Sequence, residues 1–241
     1  ILSDQKYDST DLVKELTKHK GILEKERPYY RSRRIDKSNE AQLNKNISEM
    51  YFCGFSAADS GAPPLGQDIK PGRCNKSNES ILYLAEDMYT ALAEVRPGKR
   101  QRVNIAEFRL TKDLNVIDII YSENPKSLYD FLSFYFYIVY NGNDHYYKIT
   151  QHITQQIRNM GFDGIRFSSS LSATGLNIAL FDTNAAKCIN SKIYQTIAVL
   201  HYAEEQLPRK NNERLLPKSI TDKFSHKDIT KFLSMFKNSK N

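Results

Sequence analysis

The chain has 241 residues, of which 40% are hydrophobic, and its formal net charge is +7. This length suits one large domain with appendages, and the apolar fraction is sufficient for a hydrophobic core. Cys53, Cys74 and Cys188 are odd in number and far apart, which argues against a disulfide framework and against a cysteine zinc site. We therefore expect a cytoplasmic protein.

The positive charge is concentrated at the C-terminus. Residues 206–241 contain nine Lys or Arg and three Asp or Glu, a net charge of +6 that leaves only +1 for the rest of the chain. Such a segment could contact a polyanion. However, basic termini are more often simply solvated, and the sequence contains no nucleic-acid-binding motif. We expect residues 206–241 to form a peripheral tail and expect no nucleic-acid partner.

The first element expected along the chain is a helix. Apolar residues recur at helical spacing over residues 8–26, and Pro28 ends the pattern. Residues 1–27 are therefore predicted to form an N-terminal helical segment, which could continue a longer upstream region. The main domain is expected over residues 28–205, and it begins with a strand at Tyr29–Ile35.

A loop, a strand and a helix are predicted next. Residues 54–80 are rich in Gly, Ala, Pro, Ser and Asn, and a loop of this length in a compact domain is usually functional or disordered. The apolar run Ile81–Ala85 predicts a short strand. Asp87 can cap a helix over residues 87–96, in which apolar residues recur at i, i+3, i+4 and i+7.

The second half of the chain mixes strands and helices without a regular rhythm. Residues 102–119 alternate in a way that predicts two strands around a turn, and helices are expected at about 125–140 and 145–160. Further strands are predicted at DGIRFSS (163–169), at NIALFD (177–182) and at the start of KIYQTIAVLHYAEE, from Lys192. This irregular order favours the α+β class.

The most apolar stretch of the chain is Leu128–Tyr140. It is too short to span a bilayer, and it contains Asp130. We therefore predict a buried helix and no membrane contact.

Three chemical motifs are considered and rejected. GAPPLGQD (61–68) has the glycine spacing of a phosphate-binding loop, but Lys and Ser or Thr do not follow, and two prolines remove backbone amides. His145 and His152 are seven residues apart, which is wide for two ligands of one ion, so no metal site is predicted. The serines of Arg166–Ser170 have no adjacent base, so a hydrolase triad is not supported.

Other polar positions are ambiguous when taken singly. Glu94 lies about 60° around the predicted helix from Ala91, at the edge of the apolar stripe, where an ordinary solvated carboxylate would also lie. Arg31, Arg33 and Arg34 could likewise belong to a surface strand. These positions indicate a function only in combination with other stretches of the chain.

Four stretches together resemble the RES domain family, which is named for its Arg, Glu and Ser. They are YYRSRRI, APPLGQDIKPGRCNKSNESILYLAEDMYTALAEVRP, VNIAEFRLTKDLNVIDI and GFDGIRFSSSLSATGLNIALFD, and they follow the family's order over roughly residues 29–182. The second stretch is the most specific, since it combines Gly-Arg-x-Asn, Leu-Tyr-Leu-Ala and Ala-x-Ala-Glu. The chain looks like the longer branch of the family.

The resemblance implies an enzyme that degrades NAD⁺, as a toxin or defence effector, by cleaving the bond between nicotinamide and ribose. Family members pass the ADP-ribose to phosphate or to water. Their fold is similar to that of ADP-ribosylating toxins, with a split, strongly bent antiparallel sheet and surrounding helices. No cofactor is expected, and an antitoxin-like protein or an upstream inhibitory region is the expected partner. An ADP-ribosyltransferase acting on a macromolecule remains the alternative.

Residue by residue, the resemblance places the family's Arg at Arg31, its Glu at Glu94 and its Ser at Ser169. Ser168 stands where the family usually has Pro, so Ser168 and Ser170 remain alternatives for the family serine. The residues expected to bind substrate are Tyr30, Arg73, Asn75, Tyr83, Ser168 and Ser170.

The chemistry of NAD⁺ cleavage suits these residue types. Nicotinamide is already a cationic leaving group, so the enzyme has mainly to stabilise an oxocarbenium-like ribose, a role we assign to Glu94. A forked arginine suits the pyrophosphate, with Arg31 as first candidate and Arg73 as second. Tyr83 can stack on a ring or bond to the ribose, and Ser169 can hold a ribose hydroxyl or the carboxamide.

Overall fold

The computed structural model describes residues 14–46, 51–123, 127–138 and 144–199. Within these ranges it has ten strands: β1 (Lys20–Leu23), β2 (Tyr29–Arg34), β3 (Leu43–Asn46), β4 (Tyr51–Phe55), β5 (Leu82–Ala85), β6 (Arg102–Leu110), β7 (Leu114–Ile119), β8 (Gly164–Ser168), β9 (Leu176–Leu180) and β10 (Ala186–Gln195). The helices are α1 (Ala57–Ser60), α2 (Met88–Glu94), α3 (Leu128–Tyr137) and α4 (Asp144–Asn159). Residues 14–17 are also helical, and a short 3₁₀ turn at Glu40–Gln42 precedes β3.

Eight of the strands form one sheet in the order β1-β7-β8-β9-β5-β2-β6-β10, and β3 pairs with β4 separately. Every pair is antiparallel except β7 with β8, which is parallel. A parallel pair needs a long crossover connection, and α3 and α4 lie in the chain between β7 and β8. Both helices pack on β8.

The large sheet is divided into two halves. β2 and β5 are registered through a single pair, Tyr30 with Ala85, whereas β2 pairs with β6 along its whole length. One half therefore contains β1, β7, β8, β9 and β5, and the other contains β2, β6 and β10. The predicted α+β class, with a split sheet surrounded by helices, is confirmed.

Two main cores lie on opposite faces of the strands. Neighbouring residues alternate between them, since Ile117 of β7 packs with α3 and α4 while Val116 packs in the core that joins the two halves of the sheet. Within α3, Phe131, Leu132 and Tyr135 are buried, which confirms the prediction of a buried helix. In the part of the chain that the structure describes, no helix is long and apolar enough to cross a membrane.

The prediction of a helix over residues 8–26 is wrong at residues 20–23, which form β1. This strand pairs with Leu114–Ile117 of β7, and the side chain of Leu23 is buried in the core that joins the sheet halves. Cross-strand hydrogen bonds and burial outweigh a helical pattern that rests on spacing alone. The segment 1–27 therefore adds a strand to the sheet, whereas the tail predicted over 206–241 lies outside the described residues.

The loop predicted over residues 54–80 begins later than expected. Its first residues complete β4 and form α1, and residues 61–81 contain no helix or strand in the described structure. β10 begins at Ala186, six residues before the expected start, because it pairs along β6 with one register shift near Cys188.

Candidate active site

A cavity of about 440 Å³ opens where the two halves of the sheet separate. Past the single β2–β5 pair, residues of both strands line this cavity, and its other walls come from α2, the turn before β5, α3, α4 and the end of β8. Seven of the nine predicted site residues line it: Tyr30, Arg31, Arg73, Tyr83, Glu94, Ser168 and Ser170. The other two, Asn75 and Ser169, hydrogen-bond to lining residues.

Helix α2 carries Glu94 into the cavity. The Asp87 side chain caps the helix by accepting a hydrogen bond from the Thr90 amide at 2.8 Å, and Thr90 and Ala91 are buried beneath it. Glu94 is the last residue of α2 and is exposed, and it lies on the cavity wall. The cap and the buried face thus fix the helix, while its end presents a carboxylate.

Two neutral donors hold one oxygen of this carboxylate. Glu94 Oε1 accepts hydrogen bonds from Ser169 Oγ at 2.7 Å and from Asn177 Nδ2 at 2.6 Å. Among the residues that the structure describes, none donates to Oε2. One carboxylate oxygen is therefore tied to the protein, and the other is available to a molecule in the cavity.

Ser169 reaches Glu94 because the loop after β8 passes very close to α2. A Cβ atom on Gly175 would lie 2.2 Å from Thr90 Oγ1, so only glycine allows this approach. The Ser169 amide donates to the Gly175 carbonyl at 2.8 Å, which closes the loop. Glycine at position 175 thereby lets the loop place a buried serine beside the end of α2.

The three candidate serines have different environments. Ser169 is buried, and its hydroxyl donates to Glu94 while accepting from the Leu171 amide at 3.1 Å. The Ser168 hydroxyl accepts from the Tyr121 amide at 3.0 Å. Ser168 and Ser170 line the cavity. Of the three, Ser169 is therefore the serine that the structure places against the glutamate.

Arg31 combines a cavity position with a backbone contact. Its Nη1 donates to the Ser60 carbonyl at 2.8 Å and also to the Gly61 carbonyl, so it holds the end of α1. Burial, with a smaller contribution from the charge of Arg33, lowers the pKa of Arg31 to about 9. The guanidinium is still cationic at neutral pH, and it places a positive charge in the cavity wall.

Arg73 is anchored more firmly. Its Nη1 and Nη2 donate to the carbonyls of Tyr135 and Ile138, each at 2.8 Å, and thus satisfy the C-terminal end of α3. The guanidinium also lies over the ring of Phe167, 6.0 Å from its centroid. Burial lowers the pKa of Arg73. This arginine supports the wall as well as lining it.

Tyr83 and Asn75 organise the turn at residues 72–75. The Tyr83 hydroxyl donates to Asn75 Oδ1 at 2.9 Å and accepts from the Cys74 amide at 2.8 Å. The Asn75 amide donates to the carbonyls of Lys70 and Lys76. Burial raises the pKa of Tyr83 well above its usual value. The polar atoms of both side chains therefore bond within the protein, and only the Tyr83 side chain reaches the cavity.

Helix α4 and a glycine complete this turn. Gln151 Nε2 donates to the carbonyls of Gly72 and Asn75 at 2.8 Å and 2.7 Å, and Thr150 Oγ1 donates to the Arg73 carbonyl at 2.6 Å. A Cβ atom on Gly72 would lie 2.5 Å from Asn75 Oδ1. In the Gly-Arg-x-Asn pattern, the glycine therefore leaves room for the Asn75 side chain, and the asparagine bonds to Tyr83 and to two backbone carbonyls.

Sequence reasoning missed several residues of the cavity. Asn177 of β9 contacts Glu94 directly, and Arg96 lines the cavity two residues beyond Glu94, in a left-handed backbone conformation with φ 45°. Phe136, Tyr147 and Phe167 add an aromatic wall. A positive φ at a residue other than glycine is uncommon and often marks a functional site, but it cannot be read from sequence.

His152 is not among the residues that line the cavity. Burial and the charge of Lys76 lower the pKa of His152 on α4. The side chain of His145 lies outside the described part of the structure. The expectation that this pair binds no metal therefore stays a prediction.

The family comparison covers three of the four stretches of the resemblance and not the first, YYRSRRI at residues 29–35. A family model described as the RES domain matches residues 50–202, which is more than half of the chain. A comparison with curated proteins finds no match. Among solved structures, the crystal structure of the M. tuberculosis MbcT-MbcA toxin-antitoxin complex contains a similar chain, with a TM-score of 0.43 and 12% sequence identity, covering 77% of this chain and 92% of that chain.

Proposed function

The chain belongs to the RES domain family, and from this premise we propose that it degrades NAD⁺ by cleaving the bond between nicotinamide and ribose. The observation that carries the proposal is the Glu94 carboxylate, with Oε1 held by Ser169 and Asn177 and with Oε2 free of described donors. Three arginines line the same cavity. An anionic group surrounded by cationic groups suits a substrate with a cationic ribose centre and an anionic pyrophosphate.

The bond cleavage needs charge stabilisation more than proton transfer. When the C1–N bond breaks, its electron pair goes to the ring nitrogen, and nicotinamide leaves as a neutral molecule. The ribose becomes oxocarbenium-like, and a fixed carboxylate beside C1 or the 2-hydroxyl stabilises its positive charge. Glu94 is the only acidic residue among the described residues that line the cavity, so we assign it this role.

The arginines are assigned to the phosphates. Arg31, Arg73 and Arg96 line the cavity, and guanidinium groups bind phosphate oxygens through paired hydrogen bonds. Arg31 and Arg73 each donate part of their hydrogen bonds to backbone carbonyls. Such anchoring fixes each guanidinium before substrate arrives, which lowers the entropy lost on binding.

The aromatic side chains suit the planar rings of the substrate. Phe136, Tyr147 and Phe167 line the cavity together with the side chain of Tyr83, and aromatic rings stack on planar heterocycles. The volume of about 440 Å³ lies within the range of about 300–1,000 Å³ typical of small-molecule sites. The cavity therefore has both a polar and an apolar part, as a dinucleotide requires.

The acceptor of the ADP-ribose is either water or inorganic phosphate. Water adds its oxygen to C1 and releases a proton, whereas phosphate adds an oxygen to C1 and gives a phosphorylated ADP-ribose. We also propose an inhibitory partner, because an enzyme that consumes NAD⁺ without restraint would deplete its own cell. No step requires a further cofactor.

Product analysis tests this function. Purified protein is incubated with NAD⁺, with and without inorganic phosphate, and the products are identified by mass spectrometry, with Glu94→Gln as the inactive control. We expect nicotinamide together with ADP-ribose or phosphorylated ADP-ribose. If the folded protein released no nicotinamide under either condition, the proposal would be wrong. Release only when a macromolecule is added, with ADP-ribose attached to it, would identify a transferase instead.

A further inference from the structure

Glu94 is held by donors from two separate parts of the fold. Ser169 follows β8 and Asn177 lies within β9, and they contact the same carboxylate oxygen at 2.7 Å and 2.6 Å. Both donors are buried, with 1% and 8% of their surface exposed, whereas Glu94 is exposed. A carboxylate can only accept hydrogen bonds, so the atom of Asn177 that faces it is the amide nitrogen.

The position of Asn177 is determined by the sheet. Asn177 is paired with Ala85 of β5 on one side and with Phe167 of β8 on the other. A residue in a central strand, with neighbours on both sides, has little freedom to shift. The sheet therefore fixes the position of the Asn177 amide beside the Glu94 carboxylate, which lies at the end of the short helix α2.

We propose that Asn177 is a positioning residue, which orients the Glu94 carboxylate so that Oε2 faces the bound ribose. The role of Oε2 rests on the proposed NAD⁺ cleavage. The orientation of Glu94 does not, so it can be measured separately.

The physical basis is the one-way character of this hydrogen bond. An amide N–H can only donate and a carboxylate oxygen can only accept. The serine donor can rotate its hydroxyl towards another acceptor, whereas the Asn177 amide cannot invert without presenting its oxygen to Glu94. Asn177 is therefore the donor that specifies the direction of the carboxylate.

The isosteric change Asn177→Asp tests this sharply. It keeps the shape of the side chain but replaces the donor with a second carboxylate at a hydrogen-bond distance from Glu94, so the hydrogen bond is lost. The other polar and charged groups that line the cavity are unchanged in the variant, namely Arg31, Arg73, Arg96, Tyr30, Tyr83 and Tyr147. A change in kcat therefore reports on position 177.

The kinetic experiment compares Asn177→Ala and Asn177→Asp with the natural protein. We expect kcat to fall on the order of 10- to 100-fold at neutral pH while KM changes little, because a misplaced reacting group affects the chemical step. Asn177→Asp keeps the shape of the side chain and loses only the donor. If Asn177 acts by donating to Glu94, this variant should therefore lose at least as much of kcat as Asn177→Ala.

Asn104→Ala is the matched control. Asn104 is also buried, at 1% exposure, and its Oδ1 accepts from the Phe55 amide and Ser191 Oγ, away from the cavity. This variant should lose stability in thermal unfolding without a change in kcat. Folded Asn177 variants with the natural kcat would overturn the inference.

An NMR comparison decides the question even if NAD⁺ is not the substrate. The carboxyl carbon of Glu94 is assigned by the signal that disappears in Glu94→Gln, and its chemical shift is compared at neutral pH in the natural protein and in both Asn177 variants. We expect the chemical shift to change in each variant, because the hydrogen bond to the carboxylate is lost. An unchanged chemical shift would overturn the inference, whereas a changed one without NAD⁺ cleavage by the natural protein would refute the proposed function alone.

Discussion

Two walls of the cavity contain residues that were predicted from the same family resemblance. The walls differ in whether the polar atoms of these residues are bonded within the protein or left available to a ligand. On one wall, Glu94 has one oxygen held by Ser169 and Asn177 and the other oxygen without a donor among the described residues. On another wall, the Tyr83 hydroxyl both donates and accepts within the turn that contains Asn75. The first wall leaves a charged atom for a ligand, whereas the second uses its hydrogen bonds to keep the wall in place.

This difference shows that a motif residue can serve a site in two ways. A side chain whose polar atoms bond to the protein mainly sets the shape of the cavity, and its loss should appear in stability. A side chain with a free polar atom can act on the substrate, and its loss should appear in turnover. Arg31 lies between these cases, because it lines the cavity and also holds the end of α1.

The largest effect is expected for Glu94→Gln. Glutamine has nearly the same shape, so α2 should pack unchanged, but the negative charge that we propose stabilises the developing oxocarbenium ion is lost. We expect kcat for NAD⁺ cleavage to fall by about 10²–10³, while KM changes modestly. Steady-state kinetics and NAD⁺ binding by calorimetry measure the two quantities.

Glu107→Gln serves as the control for this change. Glu107 lies on β6 and pairs with Arg109 at 3.1 Å, outside the cavity lining. Its neutralisation should leave turnover unchanged. Near-normal cleavage by folded Glu94→Gln would show that Glu94 is a solvated helix-end carboxylate, and the contrast between the two walls would disappear.

An intermediate effect is expected for Arg31. Arg31→Ala removes the charged hydrogen bonds that we propose to the pyrophosphate, a loss that we expect to cost about 1.5–3 kcal/mol and to appear mainly in KM for NAD⁺. Arg31→Lys keeps a point charge without the paired geometry, so its KM should lie between those of the natural protein and Arg31→Ala.

Arg34→Ala controls for the loss of a charge from β2, because Arg34 is exposed and lies outside the lining of the cavity. Thermal unfolding shows whether Arg31→Ala also loosens the end of α1. Equal KM values for the natural protein, Arg31→Ala and Arg31→Lys would remove Arg31 from the substrate site.

For Tyr83→Phe we expect the opposite signature to that of Glu94→Gln. The change leaves Asn75 Oδ1 and the Cys74 amide without their partner, which should lower the free energy of unfolding by roughly 1–3 kcal/mol. Because the ring remains, kcat should change far less than in Glu94→Gln. Urea denaturation and kinetics are compared with Tyr194→Phe, a tyrosine of β10 that is 39% exposed. A large loss of kcat without a loss of stability would place the Tyr83 hydroxyl in the chemistry.

The smallest effect on turnover is expected when residues 208–241 are deleted. These residues lie beyond both the matched family region and the described structure. NAD⁺ cleavage should persist, while retention on a polyanion column should decrease because most of the net charge is removed. A folded truncated protein without turnover would show that the tail completes the site.

The elements that sequence predicted well are those whose signals are local. Helix α2 has its cap, Asp87, and its apolar stripe within one short stretch, and the structure shows the cap bonded to Thr90. β6 and β7 follow from alternating residues on either side of a turn. β1 was missed because a strand of four residues is stable only when paired, and its partner, β7, lies more than 90 residues later.

The residues of the site also divide into those that the sequence predicted and those that depend on distant partners. The resemblance predicted Arg31, Glu94 and Ser169 from stretches that are far apart in sequence, and the structure brings Ser169 to 2.7 Å from Glu94. It did not predict Asn177, although that residue lies within a matched stretch. An asparagine in a strand is polar wherever it faces, and only the pairing of β9 with its neighbours directs its amide to the glutamate.

The sequence by itself thus determined the α+β class, most of the elements and the residue types that an NAD⁺-cleaving site would need, because caps, alternation and motif spacing act over a few neighbouring residues. Tertiary structure alone decided which polar atoms remain free. Arg73 contacts the end of α3, Tyr83 contacts the turn, and Asn177 contacts Glu94. Hydrogen bonds have short range and strict geometry, so the partner of each group depends on how segments distant in the chain pack together.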